Sequence, residues 1–124
     1  MNAQQLISGW KQEPEFRARV GMILTHQGVV RGSSRDGRLV TALEVFPDHG
    51  KIAALRNAYA LKPGIYRVAV EAFGGVRRPG DDLLFIVVAG DVRENVQAVL
   101  GELLERIKKE GVRKVEIYGD AHAG

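Results

Sequence analysis

Apolar positions along the chain change their spacing several times, and each change marks an element. Residues 2 to 12 carry Leu6, Ile7 and Trp10 at a weak helical spacing, and Pro14 closes the segment. From Arg19 to Val30 the period is two: Val20, Met22, Leu24, His26, Gly28 and Val30 share one phase, with Ile23 and Val29 on the other. A loop from Gly32 to Gly37 offers Ser33, Ser34 and Asp36-Gly37, and a second strand runs from Arg38 to Phe46. Sequence proximity predicts that these two strands form a hairpin with a long loop. Asp48 then caps a short helix with Ile52, Leu55 and Tyr59 on one face. Strands are predicted from Ile65 to Phe73 and from Leu83 to Ala89. The second is apolar without interruption, as expected of a central strand covered on both faces.

The strongest helical pattern follows. Asp91-x-x-Glu94 resembles a capping box, and Val92, Val96, Val99, Leu100, Leu103 and Ile107 trace one face. Glu102 with Arg106, and Glu105 with Lys109, are spaced for i,i+4 pairs of about 0.2–0.5 kcal/mol each. Glu110-Gly111 ends the helix, and a last strand spans Val112 to Tyr118. Strand, helix and strand in this order predict a crossover into the same sheet. The fold class is α+β: a single domain over residues 1–124 with a mostly antiparallel sheet and helices packed on one side.

Composition narrows the chemistry. The 124 residues are 45% hydrophobic and carry a formal charge of +3, which favours an acidic or phosphorylated partner. Aromatic residues are only 6%, too few for a base-stacking platform, so nucleic acid is not expected as a partner. With no cysteine, thiolate metal sites and cysteine nucleophiles are excluded, and any sulfur handled must arrive on another molecule. His26, His49 and His122 lack partners at ligand spacing, so no metal site is expected. No phosphate-binding or dinucleotide glycine loop is present, and no cofactor is expected. No apolar run reaches the length of a membrane span and no secretory segment is evident, so the expectation is a soluble, cytoplasmic protein without a membrane partner.

What remains is positive charge at the ends of elements. Arg31, Arg35 and Arg38 surround the first loop, Arg77 and Arg78 occupy another, and Lys108, Lys109, Arg113 and Lys114 cluster after the long helix. Lys108 and Lys109 are also favoured there by the helix dipole. Arg93 opposes that dipole by about 0.3–1 kcal/mol, which points to a ligand.

In their order and spacing these segments resemble the large, catalytic subunit of molybdopterin synthase. Gly21 to Arg31, a polar loop and Val40 to Leu43 are similar to that family's apolar strand, Phe-x-Gly-x-Val-Arg, mobile loop and Val-x-x-Leu. Arg78 to Asp82 resembles its Pro-Gly-acid turn, Val88 to Arg93 its strand followed by His-Arg, and Leu104 to Glu110 its lysine-bearing helix end. The chain departs from the pattern at His26, which stands for Phe, at Val92, which stands for His, and at Ala72-Phe73, which stand for His-Arg. Gly111 to Lys114 replaces a Pro-x-Trp-Lys segment, and the chain resembles a divergent, C-terminally short member.

The resemblance implies an α/β-hammerhead-like fold and sulfur transfer to cyclic pyranopterin monophosphate in molybdenum cofactor biosynthesis. It implies a small ubiquitin-like carrier subunit whose C-terminal Gly-Gly bears a thiocarboxylate, and a homodimer of large subunits within a heterotetramer. By the same resemblance Arg31 and Arg93, with Arg35 and Arg38, would bind the phosphorylated substrate or the carrier tail. Lys108 would be catalytic, with Lys114 as the second lysine. Arg31, Arg93 and Lys108 are then expected to converge on one pocket, within one chain or across a dimer interface. A non-catalytic homologue that binds a carrier tail or another anion is the alternative.

Overall fold

The computed structural model describes residues 2–119; His122 lies outside them. Helix α1 (Ala3–Lys11) starts with a reciprocal cap between Asn2 and Gln5, and a short α2 (Phe16–Arg19) follows. The strands and later helices are β1 (Met22–Val29), β2 (Val40–Pro47), α3 (His49–Ala60), β3 (Ile65–Ala72), β4 (Gly75–Arg77), β5 (Asp82–Gly90), α4 (Arg93–Arg106) and β6 (Val112–Tyr118). A π-helical turn, Ile107–Gly111, joins α4 to β6. No helix among the described residues is long and apolar enough to cross a membrane.

The class is α+β with every strand pairing antiparallel, as expected, but the strands divide between two sheets ordered β1-β5-β3 and β4-β2-β6. β5 is central because both its faces are apolar. Leu84, Ile86 and Val88 pack against Ile52, Leu55 and Tyr59 of α3 and Val96, Val99 and Leu103 of α4. Val87 and Ala89 pack on the other face against Trp10 and the apolar side of α1. The two long helices therefore share one face, as expected, and α1 and α2 are added on the opposite one.

Two predicted pairings are corrected. β1 and β2 form no hairpin: β1 pairs with β5, β2 pairs with β6 and β4, and only an isolated Ser33–Leu39 bridge spans the loop. Likewise α4 does not return the chain to the sheet of β5; β6 joins the second sheet. A strand buried on both faces draws β1 and β3 to its two edges, so β2 and β6 are left to pair with each other. A third small cluster, Val30, Val40, Leu43 and Val45 with Leu83 and Val112, fills the seam between the sheets.

Two local expectations also change. Asp48 caps α3 by accepting from the Lys51 amide (3.0 Å), as expected. Asp91 instead accepts from its neighbour Val92 (2.6 Å) and from the Asn95 side chain (2.9 Å), and Val92 stands at the N-cap without a side-chain cap. Arg106 turns from Glu102 to Glu110, donating from Nε at 2.8 Å, and Lys51 reaches the same carboxylate at 3.1 Å. Glu110 thus ties α3 to the π turn, and its pKa is held down to about 2, chiefly by the Arg106 guanidinium and then by Lys51.

Candidate functional site

Two adjoining cavities open over the seam between the sheets. The larger, about 630 Å³, is lined by Arg31, Arg35, Ser33, Ser34 and Asp36 from the loop after β1, and by Lys114, Glu116 and Tyr118 from β6. The smaller, about 180 Å³, is lined by His26 and Gly28 of β1, Lys108 of the π turn, Lys114, and apolar Val45, Leu84 and Val112. Val29, Leu83 and Lys114 border both.

Register explains how β6 supplies three polar side chains to one face. Lys114 pairs with Val45, Glu116 with Leu43 and Tyr118 with Val40, so residues two apart point the same way, toward the seam. The loop is held by its own bonds. The Ser34 amide donates to the Arg38 carbonyl (2.9 Å), the Ser34 hydroxyl accepts from the Arg38 amide (3.0 Å), and that hydroxyl donates to Asp36. Gly37 takes φ +86°, a conformation that glycine alone adopts without strain. Arg31 donates from Nε to the Ser33 carbonyl (2.8 Å), which fixes its stem and leaves the rest of its guanidinium facing the cleft.

Lys108 is aimed by the π turn. Ile107 is fully buried in the main core, and Gly111 lies so close to α3 that a Cβ there would meet Ile52 Cγ1 at 2.9 Å. The Asp48 amide donates to the Gly111 carbonyl at 2.7 Å. With Ile107, Glu110 and Gly111 anchored, the wide turn presents Lys108 to the small cavity; such turns are frequent at functional sites.

Electrostatics set the protonation of the cavity. Lys114 is exposed as a residue, but burial of its amine lowers its pKa, and Lys108 and then Arg35 add to the effect; Glu116 opposes it. The His26 imidazole is half-buried, and burial followed by the charge of Lys108 pushes its pKa below 6.5, so it is neutral at pH 7. A neutral imidazole and two amines therefore share one small space.

The expected convergence of Arg31, Arg93 and Lys108 does not occur within one chain. Arg31, Arg35 and Lys114 meet in the large cavity, and Lys108 joins Lys114 in the small one. Arg93 is 72% exposed at the start of α4, its nearest acid Glu94 at 3.8 Å. Fifteen residues of helix separate it from Lys108, about 22 Å at 1.5 Å per residue. Arg38 does not line either cavity; its guanidinium lies 3.5 Å from the centroid of the Tyr118 ring. Sequence reasoning did not single out His26, Glu116 or Tyr118 as site residues, although the phase of β1 and the period of two from Lys114 were both readable.

The sequence profile of the MoaE protein family matches residues 2–110. The chain belongs to that family. MoaE proteins are the large subunits of molybdopterin synthase, so the chain takes part in molybdenum cofactor biosynthesis. The matched span includes His26, Arg31, Arg93 and Lys108 and ends before Lys114. Among solved structures, the chain is similar to molybdopterin synthase from Staphylococcus aureus, with 21% identity, TM-score 0.77, and coverage of 98% of this chain and 88% of that one. It is also similar to the complex of subunits 1 and 2 of molybdopterin-converting factor from Helicobacter pylori 26695 (15% identity, TM-score 0.70, 98% and 86% covered). A third is the MoaE protein from Burkholderia ambifaria MC40-6 (18% identity, TM-score 0.68, 99% and 88% covered). These likenesses establish the MoaE fold. No curated protein matches the chain.

Proposed function

We propose that this chain catalyses sulfur transfer from the C-terminal thiocarboxylate of a small ubiquitin-like carrier subunit to cyclic pyranopterin monophosphate. The observation that carries the reading is that Lys108 and Lys114, from different elements, open onto one cavity that Lys114 joins to the arginine-lined cleft. A Gly-Gly tail has no side chains, and a cavity of about 180 Å³ suits so slender an end. Guanidinium groups bind phosphate and thiocarboxylate through charge-assisted hydrogen bonds, the role given to Arg31 and Arg35. In the reaction the acyl–sulfur bond of the carrier is exchanged for a carbon–sulfur bond on the pterin. The two lysines stabilise the negative charge that develops on the acyl oxygen.

The partner is supported by the Helicobacter pylori neighbour, which is a complex of two subunits. Arg93, about 22 Å along α4 from Lys108, contributes to a site only from a second copy of the chain, consistent with a homodimer at the centre of a heterotetramer. Arg38 serves by backing Tyr118 rather than by touching substrate.

The test mixes purified protein with thiocarboxylated carrier and cyclic pyranopterin monophosphate and follows sulfur gain on the pterin by mass spectrometry. Wild-type protein is expected to turn over. Lys108→Ala is expected to lose a factor of about 10²–10⁴ while still binding the carrier tail. Tail binding by wild-type protein without sulfur transfer, where an authentic synthase works in the same assay, overturns catalysis in favour of a non-catalytic binder.

A further inference from the structure

One group in the small cavity has no part in the chemistry so far. His26 sits on β1, opposite Ile86 of β5, in the phase that faces the cavity. Its Nε2 is 3.6 Å from the point where a Cβ on Gly28 would stand, so the missing side chain at Gly28 leaves room beside the ring nitrogen. No side-chain hydrogen bond or ion pair among the described residues engages the imidazole. The groups facing it are Lys108 from the π turn, Lys114 from β6, and apolar Val45, Leu83, Leu84 and Val112 from the surrounding elements; among the described residues no carboxylate lines this cavity. Burial and the charge of Lys108 keep the ring unprotonated at neutral pH. A neutral imidazole with a free nitrogen, set between two amines, is equipped to receive a proton.

We propose that His26 is the general base of the step that releases the carrier, taking a proton from the water that cleaves the acyl–sulfur bond. The assignment rests on the sulfur-transfer reading. Once the thiocarboxylate sulfur has displaced an oxygen substituent from a pterin carbon, the carbon–oxygen bond breaking with its electron pair on oxygen as the carbon–sulfur bond forms, the carrier is held as a thioester. The water oxygen forms a bond to the acyl carbon as its proton passes to the imidazole. The carbon–sulfur bond to the acyl group then breaks, and its electron pair leaves with the sulfur on the pterin. The carrier departs as a carboxylic acid that ionises, and the imidazolium returns its proton to solvent through the open cleft. No oxidant or reductant enters. Lys108 and Lys114 flank the acyl oxygen while it carries negative charge.

The test is a single turnover of the full chain with thiocarboxylated carrier and cyclic pyranopterin monophosphate, resolved by mass spectrometry into carrier–pterin thioester and free carrier carboxylate. His26→Ala removes the ring and leaves a space of its size, and His26→Gln keeps polarity without basicity. In both, the first carbon–sulfur bond is expected to form at close to the wild-type rate. The thioester accumulates, and its cleavage slows by about 10²–10⁴. Added imidazole restores part of the release rate in His26→Ala. The wild-type release rate falls on the acid side with a midpoint below 6.5, and the variants lack that limb. If both variants release carrier at the wild-type rate with the wild-type pH profile, the assignment is wrong and sulfur transfer stands. If wild-type protein forms neither thioester nor product, both readings fall.

Discussion

The aim of Lys108 depends on the residue before it, and Ile107→Ala measures how firmly that anchor is set. Ile107 is 0% exposed and packs in the main core beside Ile52 and Leu103. The substitution removes three buried carbons, worth about 0.8 kcal/mol each as transfer free energy, or about 2.4 kcal/mol together. The residual void adds to this, and the observed range for such truncations is about 2–5 kcal/mol. Collapse of the void is opposed from two sides, because Gly111 already lies against Ile52 and the Glu110 carboxylate fixes the turn. The upper half of the range is therefore expected. Urea unfolding followed by the fluorescence of Trp10, the single tryptophan, reads the loss from the far face of the central sheet. With a slope of about 1–3 kcal/mol/M, the midpoint falls by about 1–5 M at unchanged slope. Ile107→Val, which removes one carbon, costs about 0.5–1.5 kcal/mol. A loss below about 1 kcal/mol for Ile107→Ala refutes the claim that the π turn is locked by core packing.

Two further outcomes follow from charge. Glu110 has a folded pKa of about 2, below its unfolded value near 4.5, so its contribution to stability is complete above the unfolded pKa and is lost as pH falls toward 2. Glu110→Gln is expected to be less stable than wild type at pH 6 and to converge with it near pH 2; parallel stability curves over that range contradict the network. Lys114 is expected to be acylated by amine reagents with a rate–pH midpoint below that of an ordinary lysine, as followed by peptide mass spectrometry. Lys108→Met removes the neighbouring charge and moves that midpoint upward; an unmoved midpoint would mean the two amines do not share a cavity.

Legibility followed the range of the interactions. The stripe of α4 and the unbroken apolar run of β5 were readable because a core-facing helix and a doubly covered strand impose their own periods on the sequence. Strand partners were not, since β2 meets β6 across some seventy residues of chain and nothing local distinguishes that pairing from a hairpin. The π turn was equally hidden: it depends on the contact between Gly111 and Ile52, which the sequence alone does not announce. Within the site, loop arginines and the two lysines stood out as unneutralised charge. The distance from Arg93 to Lys108 can be counted along the helix, and it leaves only the arrangement across a dimer interface for the expected convergence. His26 and Tyr118 read as ordinary strand residues until the sheets brought them to the seam.

The π turn contains one residue more than a regular helix needs to close. Deleting a single position between 107 and 111 would restore ordinary winding and shift the angular phase between α4 and β6 by about 100°. Lys108 and Lys114 would then lose their common direction, while the apolar stripe upstream kept its seat. A lineage could shed its amine pair by the loss of one codon and still inherit a sound scaffold.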